Sequence, residues 1–181
     1  SSDLIIIVVF SLLFFVSCGK DQKANTPQKE IKKTNVNVSK KEKTKSKKES
    51  VVVVDSDGVA NVTITSNDGM RFDVRKINVL AGQKVRLMLK HTGKLDKKIM
   101  GHNVVILKNG VKASAFAVKA ASSKDNDYIP DGTNEVIAHT KMIGGGESTV
   151  VEFLAPEKGT YNYICSFPGH FAMMKGKLIV E

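Results

Sequence analysis

The stretch Thr160-Tyr161-Asn162-Tyr163-Ile164-Cys165-Ser166-Phe167-Pro168-Gly169-His170-Phe171-Ala172-Met173-Met174-Lys175-Gly176 reads as a strand, a loop and a second strand. Tyr161 and Tyr163 flank Asn162 in the period-two pattern of a half-buried strand, and Cys165 ends it. Pro168-Gly169 makes a tight turn, so the loop folds back and points His170 toward the Cys165 sulfur. Met174 follows just before the next strand begins near Gly176. One short loop therefore carries a thiolate, an imidazole and a thioether.

A second imidazole waits far upstream, in Met100-Gly101-His102-Asn103. One soft sulfur, two imidazoles and a weak thioether suit a copper ion cycling between its two oxidation states. The thiolate would lose its proton on binding, the imidazoles bind neutral, and the thioether is a long, weak axial donor. Met173 and Met174 are adjacent and cannot both face a metal from an extended segment; spacing favours Met174. This donor set points to outer-sphere electron transfer.

The same period-two pattern recurs outward along the chain. Val62 and Ile64 alternate with Asn61, Thr63 and Thr65; Met70, Phe72 and Val74 with Arg71, Asp73 and Arg75; Val85, Leu87 and Leu89 with Lys84, Arg86 and Lys90. Val151 and Phe153 flank Glu152, and Leu178 and Val180 close the chain. Turn signals at Asn67-Asp68-Gly69, Ala81-Gly82 and Pro156-Glu157-Lys158-Gly159 separate these stretches. The expected fold is all-β, a two-sheet antiparallel Greek-key sandwich. The Ala-rich stretch 111–124 is expected to hold a short helix or a flap. There is no internal repeat.

Before this domain the texture differs. Leu4 to Val16 is apolar apart from Ser11, too short for a comfortable span and suited to the core of a secretory signal. It runs into Phe15-Val16-Ser17-Cys18-Gly19, which resembles a bacterial lipobox with Cys18 as the acylated residue. The sequence starts without Met and without basic residues ahead of the apolar run, so the signal reads as N-terminally incomplete. Residues 19–50 carry 11 Lys against 4 acidic residues and almost nothing apolar to bury, the composition of a solvated tether. The expected organisation is a signal over 1–17, a lipid-anchored, Lys-rich tether over 18–50 and a folded domain over 51–181. The chain would then be exported and held on the periplasmic or cell-surface side of a bacterial membrane.

The net charge of +10 is concentrated in that tether. Residues 51–181 hold 17 Lys and Arg against 13 acidic residues, so the domain is only mildly basic. That balance, with no recognition motif, excludes a nucleic-acid partner. Two cysteines exist, Cys18 and Cys165. With the first lipidated, Cys165 has no disulfide partner, and burial behind a metal is one way such a thiol survives export.

The segments Cys165–His170 with Met174-Lys175-Gly176, and Met100–Asn103, resemble the two copper segments of the azurins, type 1 blue-copper proteins of the cupredoxin family. The similarity extends to Ser66–Met70, His91-Thr92-Gly93 and Val136–Gly144, and so covers nearly all of Val59–Glu181. It implies one type 1 copper held by His102, Cys165, His170 and Met174, with the Gly101 carbonyl opposite the methionine. Asn103 would hold the two ligand loops together, and backbone donors would point at the Cys165 sulfur and tune its potential. An apolar patch of Met70, Leu95, Ile99, Met100, Pro168, Gly169, Phe171 and Ala172 would surround His170 and receive the redox partner that donates or accepts the electron, such as a cytochrome or a copper or haem reductase. Lys94, Lys97 and Lys98 favour an acidic rim on that partner. Azurins usually carry a disulfide near their N-terminal strands and often a buried Trp; this chain has neither, and Val104 follows Asn103. Altered stability, and not lost function, is the expected consequence.

Copper storage or delivery is the competing reading, distinguished by whether the protein keeps its copper through redox cycles. A Cys165 nucleophile lacks an orienting acid and an oxyanion loop. Zinc could fill the same donors, because affinity alone does not exclude it. Of the remaining histidines, His91 reads as a structural or titrating residue beside the site, and His139 as a surface residue in a polar turn.

Overall fold

Along Ala60–Asn67 every second residue is buried, Ala60, Val62, Ile64 and Ser66, while their neighbours face outward. Lys84–His91 repeats the pattern with Val85, Leu87, Leu89 and His91. Each such strand can satisfy its backbone only beside another strand, and can hide its apolar face only against a second sheet. The computed structural model describes residues 51–181 and shows that solution. The expected signal segment, Cys18 and the tether lie outside the described residues.

Among the described residues, ten strands make two five-stranded sheets. The first contains β1 (Val52–Val54), β2 (Ala60–Asn67), β5 (Lys84–His91) and β8 (Ser148–Leu154) in that spatial order, with β3 (Arg71–Phe72) also paired to β2. The second has the order β4 (Lys76–Val79), β10 (Lys175–Val180), β9 (Gly159–Ile164), β6 (Val105–Leu107) and β7 (Val136–His139). The expected all-β sandwich is present, with most pairings antiparallel. Two are parallel, β2 with β5 and β4 with β10. Between β2 and β5 the chain crosses to the other sheet to lay down β4, so it re-enters the first sheet in its original direction. Alternation tells which face of a strand is buried and nothing about direction.

The core between the sheets is one cluster that includes Val62, Ile64, Ile77, Leu87, Leu89, Ile106, Tyr163 and Leu178, together with Cys165 and Met174. A second, smaller cluster lies on the outer face of the second sheet. There α2 (Ala113–Ala120) sets Phe116, Ala117 and Ala120 against Val105, Leu107 and Ile164. Strand β6 is thus covered on both faces, which is why Val104-Val105-Ile106-Leu107 is an unbroken apolar run. The helix meets the expectation over 111–124, and a 3₁₀ turn, Lys124–Asn126, follows it. His139 is exposed as expected, but it ends strand β7 and does not sit in a turn.

Strands β2 and β5 run toward one end of the sandwich, where β9 finishes and β10 begins. Ser66, His91 and Cys165 therefore converge at that end.

Candidate metal centre

The loop from Cys165 to Met174 is closed by its own backbone. The Cys165 amide donates to the Met174 carbonyl at 3.0 Å, continuing the β9–β10 ladder, and the Met174 amide donates to the His170 carbonyl at 2.8 Å. Gly169 takes φ 84°, a left-handed turn open to glycine at no steric cost, and the His170 amide then donates to the Phe167 carbonyl at 3.0 Å. The turn swings His170 inward, and its Nδ1 stands 3.8 Å from the Cys165 Sγ. His170 is 4 % exposed; Cys165 and Met174 are wholly buried.

The upstream segment enters from the other side. A short helix, α1 (Lys97–Met100), is capped by the Asp96 carboxylate, which accepts from the Lys98 amide at 2.8 Å. It delivers Gly101 with its carbonyl 3.8 Å from the Cys165 sulfur. A side chain at Gly101 would meet the Lys97 carbonyl at 2.5 Å and the Met142 sulfur at 2.9 Å, so glycine is what allows the close approach. His102 is fully buried; its ring lies edge-on to His170, with centroids 5.2 Å apart. The His102 Nδ1 lies 2.9 Å from the Ser66 hydroxyl, and that hydroxyl makes a longer contact, 3.4 Å, to the Lys90 carbonyl. A proton on Nδ1 donating to Ser66 leaves the lone pair on Nε2. That atom is the one buried side-chain nitrogen or oxygen among the described residues with no hydrogen-bond partner. An orphaned buried imidazole nitrogen is costly unless something binds it, and a metal ion is the partner its lone pair fits. Among the described residues no three His, Cys, Asp or Glu side chains are drawn into a finished cage.

Asn103 joins the two segments. Its Oδ1 accepts from the Ser166 amide at 2.9 Å, and its Nδ2 donates to the Ser166 hydroxyl at 2.8 Å and to the Asp127 carbonyl at 3.0 Å. The backbone amides of Asn103 and Phe167 both donate to the Cys165 sulfur. Burial dominates them and pushes the Cys165 thiol up to about 12. Burial likewise depresses His102 to about 3, helped by the neighbouring His91 and His170, and lowers His170 for the same reason. The pocket thus holds neutral imidazoles and a neutral thiol, and favours whatever cation can replace the thiol proton.

His91 stacks flat on His102, centroids 4.2 Å apart and planes 6° from parallel. Its Nδ1 accepts from the Gly93 amide and its Nε2 donates to the Met100 carbonyl, both at 3.0 Å. Both nitrogens are taken, so His91 supports the site and does not bind in it. Phe167 packs against His170 with centroids 4.5 Å apart, and Tyr128 meets Phe167 edge-on at 5.3 Å. Around this end Ile99 is 64 % and Met173 41 % exposed, with Leu95, Pro168 and Ala172 also on the surface. Met173 faces outward while Met174 is buried. Sequence reasoning assigned no role to the Ser66 hydroxyl or the Asp127 carbonyl. Ser66 left a trace: it is the polar residue on the inward face of β2.

Residues 58–181 match the family model described as copper binding proteins, plastocyanin/azurin family. Azurin-1 of Alcaligenes xylosoxydans xylosoxydans is 46 % identical over 122 residues, 65 % of this chain and 95 % of that protein. The azurin of Alcaligenes faecalis is 41 % identical over the same share of each. Among solved structures, an azurin from Methylomonas sp. strain J is 38 % identical with a TM-score of 0.62, covering 67 % of this chain and 97 % of that one. Auracyanin A, a blue copper protein of Chloroflexus aurantiacus, is 33 % identical with a TM-score of 0.63, covering 68 % and 100 %.

Proposed function

The chain belongs to the plastocyanin/azurin family of copper-binding proteins, and on that premise we propose which of its residues hold the metal and how it meets its partners. It is a blue-copper electron-transfer protein with a single type 1 copper ion. Copper bound here gains and loses one electron, with no substrate bond made or broken.

The proposed ligands are His102, Cys165, His170 and Met174, with the Gly101 carbonyl as a weak further donor. The observation that carries this is the meeting of the Cys165 sulfur with the His170 Nδ1 and the Gly101 carbonyl, each 3.8 Å from it, together with a neighbouring His102 ring, 5.2 Å from that of His170, whose buried Nε2 has no partner. The protein's contribution is rigidity. Asn103 fastens the two ligand segments, Ser66 fixes the His102 ring, and the Asn103 and Phe167 amides stabilise charge on the sulfur. A frame held this way suits both oxidation states, so little reorganises when the electron moves.

The partners are proposed to be redox proteins that dock on the apolar end around His170. The chain is proposed to be exported and anchored through a lipid on Cys18, with residues 19–50 as its tether.

Optical titration with Cu(II) tests the assignment. One equivalent should give an intense blue band that a reductant bleaches and an oxidant restores, and Cys165→Ser should lose the band. A colourless protein that passes Cu(I) to a chelating acceptor, or a blue Cys165→Ser variant, would contradict it.

A further inference from the structure

The outer face of the second sheet carries a cationic cleft that the copper site does not use. Arg75, Lys175 and Lys177 rim a cavity of about 430 Å³ whose floor is Ile164, Ala113, Gly176 and Asn162. Lys177 stands directly opposite Asn162 on β9 and Lys76 on β4. Like charges facing each other across a ladder are destabilising unless an anion lies between them. On the other sheet the comparable cations are matched, since Lys84 and Arg86 both reach Glu152, at 2.8 and 2.6 Å. Here no carboxylate among the described residues forms an ion pair with Arg75, Lys76, Lys175 or Lys177, and the Lys177 ammonium spends one proton on the Asn162 amide oxygen at 2.6 Å. Lysines on the edge strand β4 could serve only to block pairing with another sheet. Strand β10 is not an edge, so that explanation does not reach Lys175 and Lys177.

We propose that this cleft is a second docking surface, which takes an acidic protein partner by receiving a projecting Asp or Glu side chain. The concave shape decides for a protein over a lipid surface, because a flat layer of head groups meets the Arg75, Lys175 and Lys177 rim and cannot enter the cleft between them, whereas a projecting side chain can. Position gives the cleft its use, and for that use alone the inference rests on the blue-copper reading. Ile164 is bonded to Cys165, and Lys175 to Met174, so a partner seated here lies one residue from the sulfur-bearing part of the site. It approaches from the side of the sheet, away from the apolar surface around His170. Charge sets the choice of partner and the rate of encounter.

The test follows backbone amide NMR shifts, residue by residue, in the metal-free 181-residue chain during titration with a hexaglutamate peptide, and separately with phosphatidylglycerol vesicles. The peptide should move the amides of Arg75, Asn162, Ile164 and Lys175 to Lys177, and the double variant Lys175→Glu/Lys177→Glu should weaken that response by about tenfold or more. Lys175→Gln/Lys177→Gln provides the same comparison should the reversal disturb folding, which the spectrum without peptide reports. Shifts confined to residues 19–50 or to Lys94–Lys98, an undiminished response in the variants, or movement of the cleft amides by vesicles and not by peptide would each overturn the proposal. Because no copper is present, failure here leaves the optical test of the metal site standing, and failure there leaves this result standing.

Discussion

Gly101 shows how far a single side chain is constrained by the centre it borders. A methyl group there would lie 2.5 Å from the Lys97 carbonyl, a backbone atom that moves only with its helix. Gly101→Ala is therefore expected to lower stability by about 1–3 kcal/mol and to shift the blue band as the carbonyl retreats, checked by thermal unfolding of the metal-free chain and by optical spectra. Protons give a second expectation. The buried thiol is pushed up to about 12 and holds its proton at neutral pH, while His102 and His170 are already neutral. Copper binding must then release one proton, so affinity should rise about tenfold per pH unit from neutrality upward; competitive titration at several pH values measures the slope. The metal-free fold obeys the opposite-facing limits. His102 is depressed from 6.5, so the stability it contributes is present above pH 6.5 and lost as pH falls toward 3; Cys165 is raised from 9.0, so its contribution is lost as pH climbs from 9 toward 12. Denaturant midpoints of the metal-free chain should be highest between pH 6.5 and pH 9.

Strands carry the next level of constraint. Tyr163 on β9 sends its hydroxyl across the core to the Val74 carbonyl at 2.7 Å, tying the copper loop's lead-in strand to the segment entering β4. Tyr163→Phe leaves that buried carbonyl unpartnered and should cost about 1–3 kcal/mol, with the blue band unchanged; equal stability of the two proteins would refute the role. Such ties also mark what was legible in the sequence. The Cys165–Met174 loop could be read directly because its donors are local and its Pro-Gly turn has its own chemistry. The inward faces of β2 and β5 were legible because burial imposes a period of two. The parallel pairings, the Ser66–His102 contact and the Asp127 carbonyl on Asn103 were not. The two contacts join residues 36 and 24 positions apart, and pairing depends on the path of the chain between sheets. Resemblance to the azurins supplied the long-range pairing of the two metal segments that spacing alone could not.

For the molecule as a whole, the proposed site is built from loops at one end of the sandwich, between α1 and β6 and between β9 and β10. The proposed ligands, Asn103, Ser66 and both apolar clusters fall between Val51 and Glu181. A fragment of residues 51–181 should bind one Cu(II) with the spectrum of the full chain and melt within a few degrees of it; a fragment that fails to fold would show that residues 1–50 contribute to the core. The sandwich has no disulfide to constrain its unfolded state, and Cys165 is the free, buried cysteine among the described residues. Its stability rests on packing and on the metal, so copper should raise the melting temperature in proportion to how tightly it binds the folded form. On the proposed assignment, one cysteine sulfur and two imidazoles meet on the same ion. X-ray absorption at the copper edge of the loaded chain reads this out: one short copper–sulfur contact with two nitrogen donors is expected, the sulfur vanishing in Cys165→Ser, and a spectrum fitted by nitrogen and oxygen alone in the unaltered protein would contradict it.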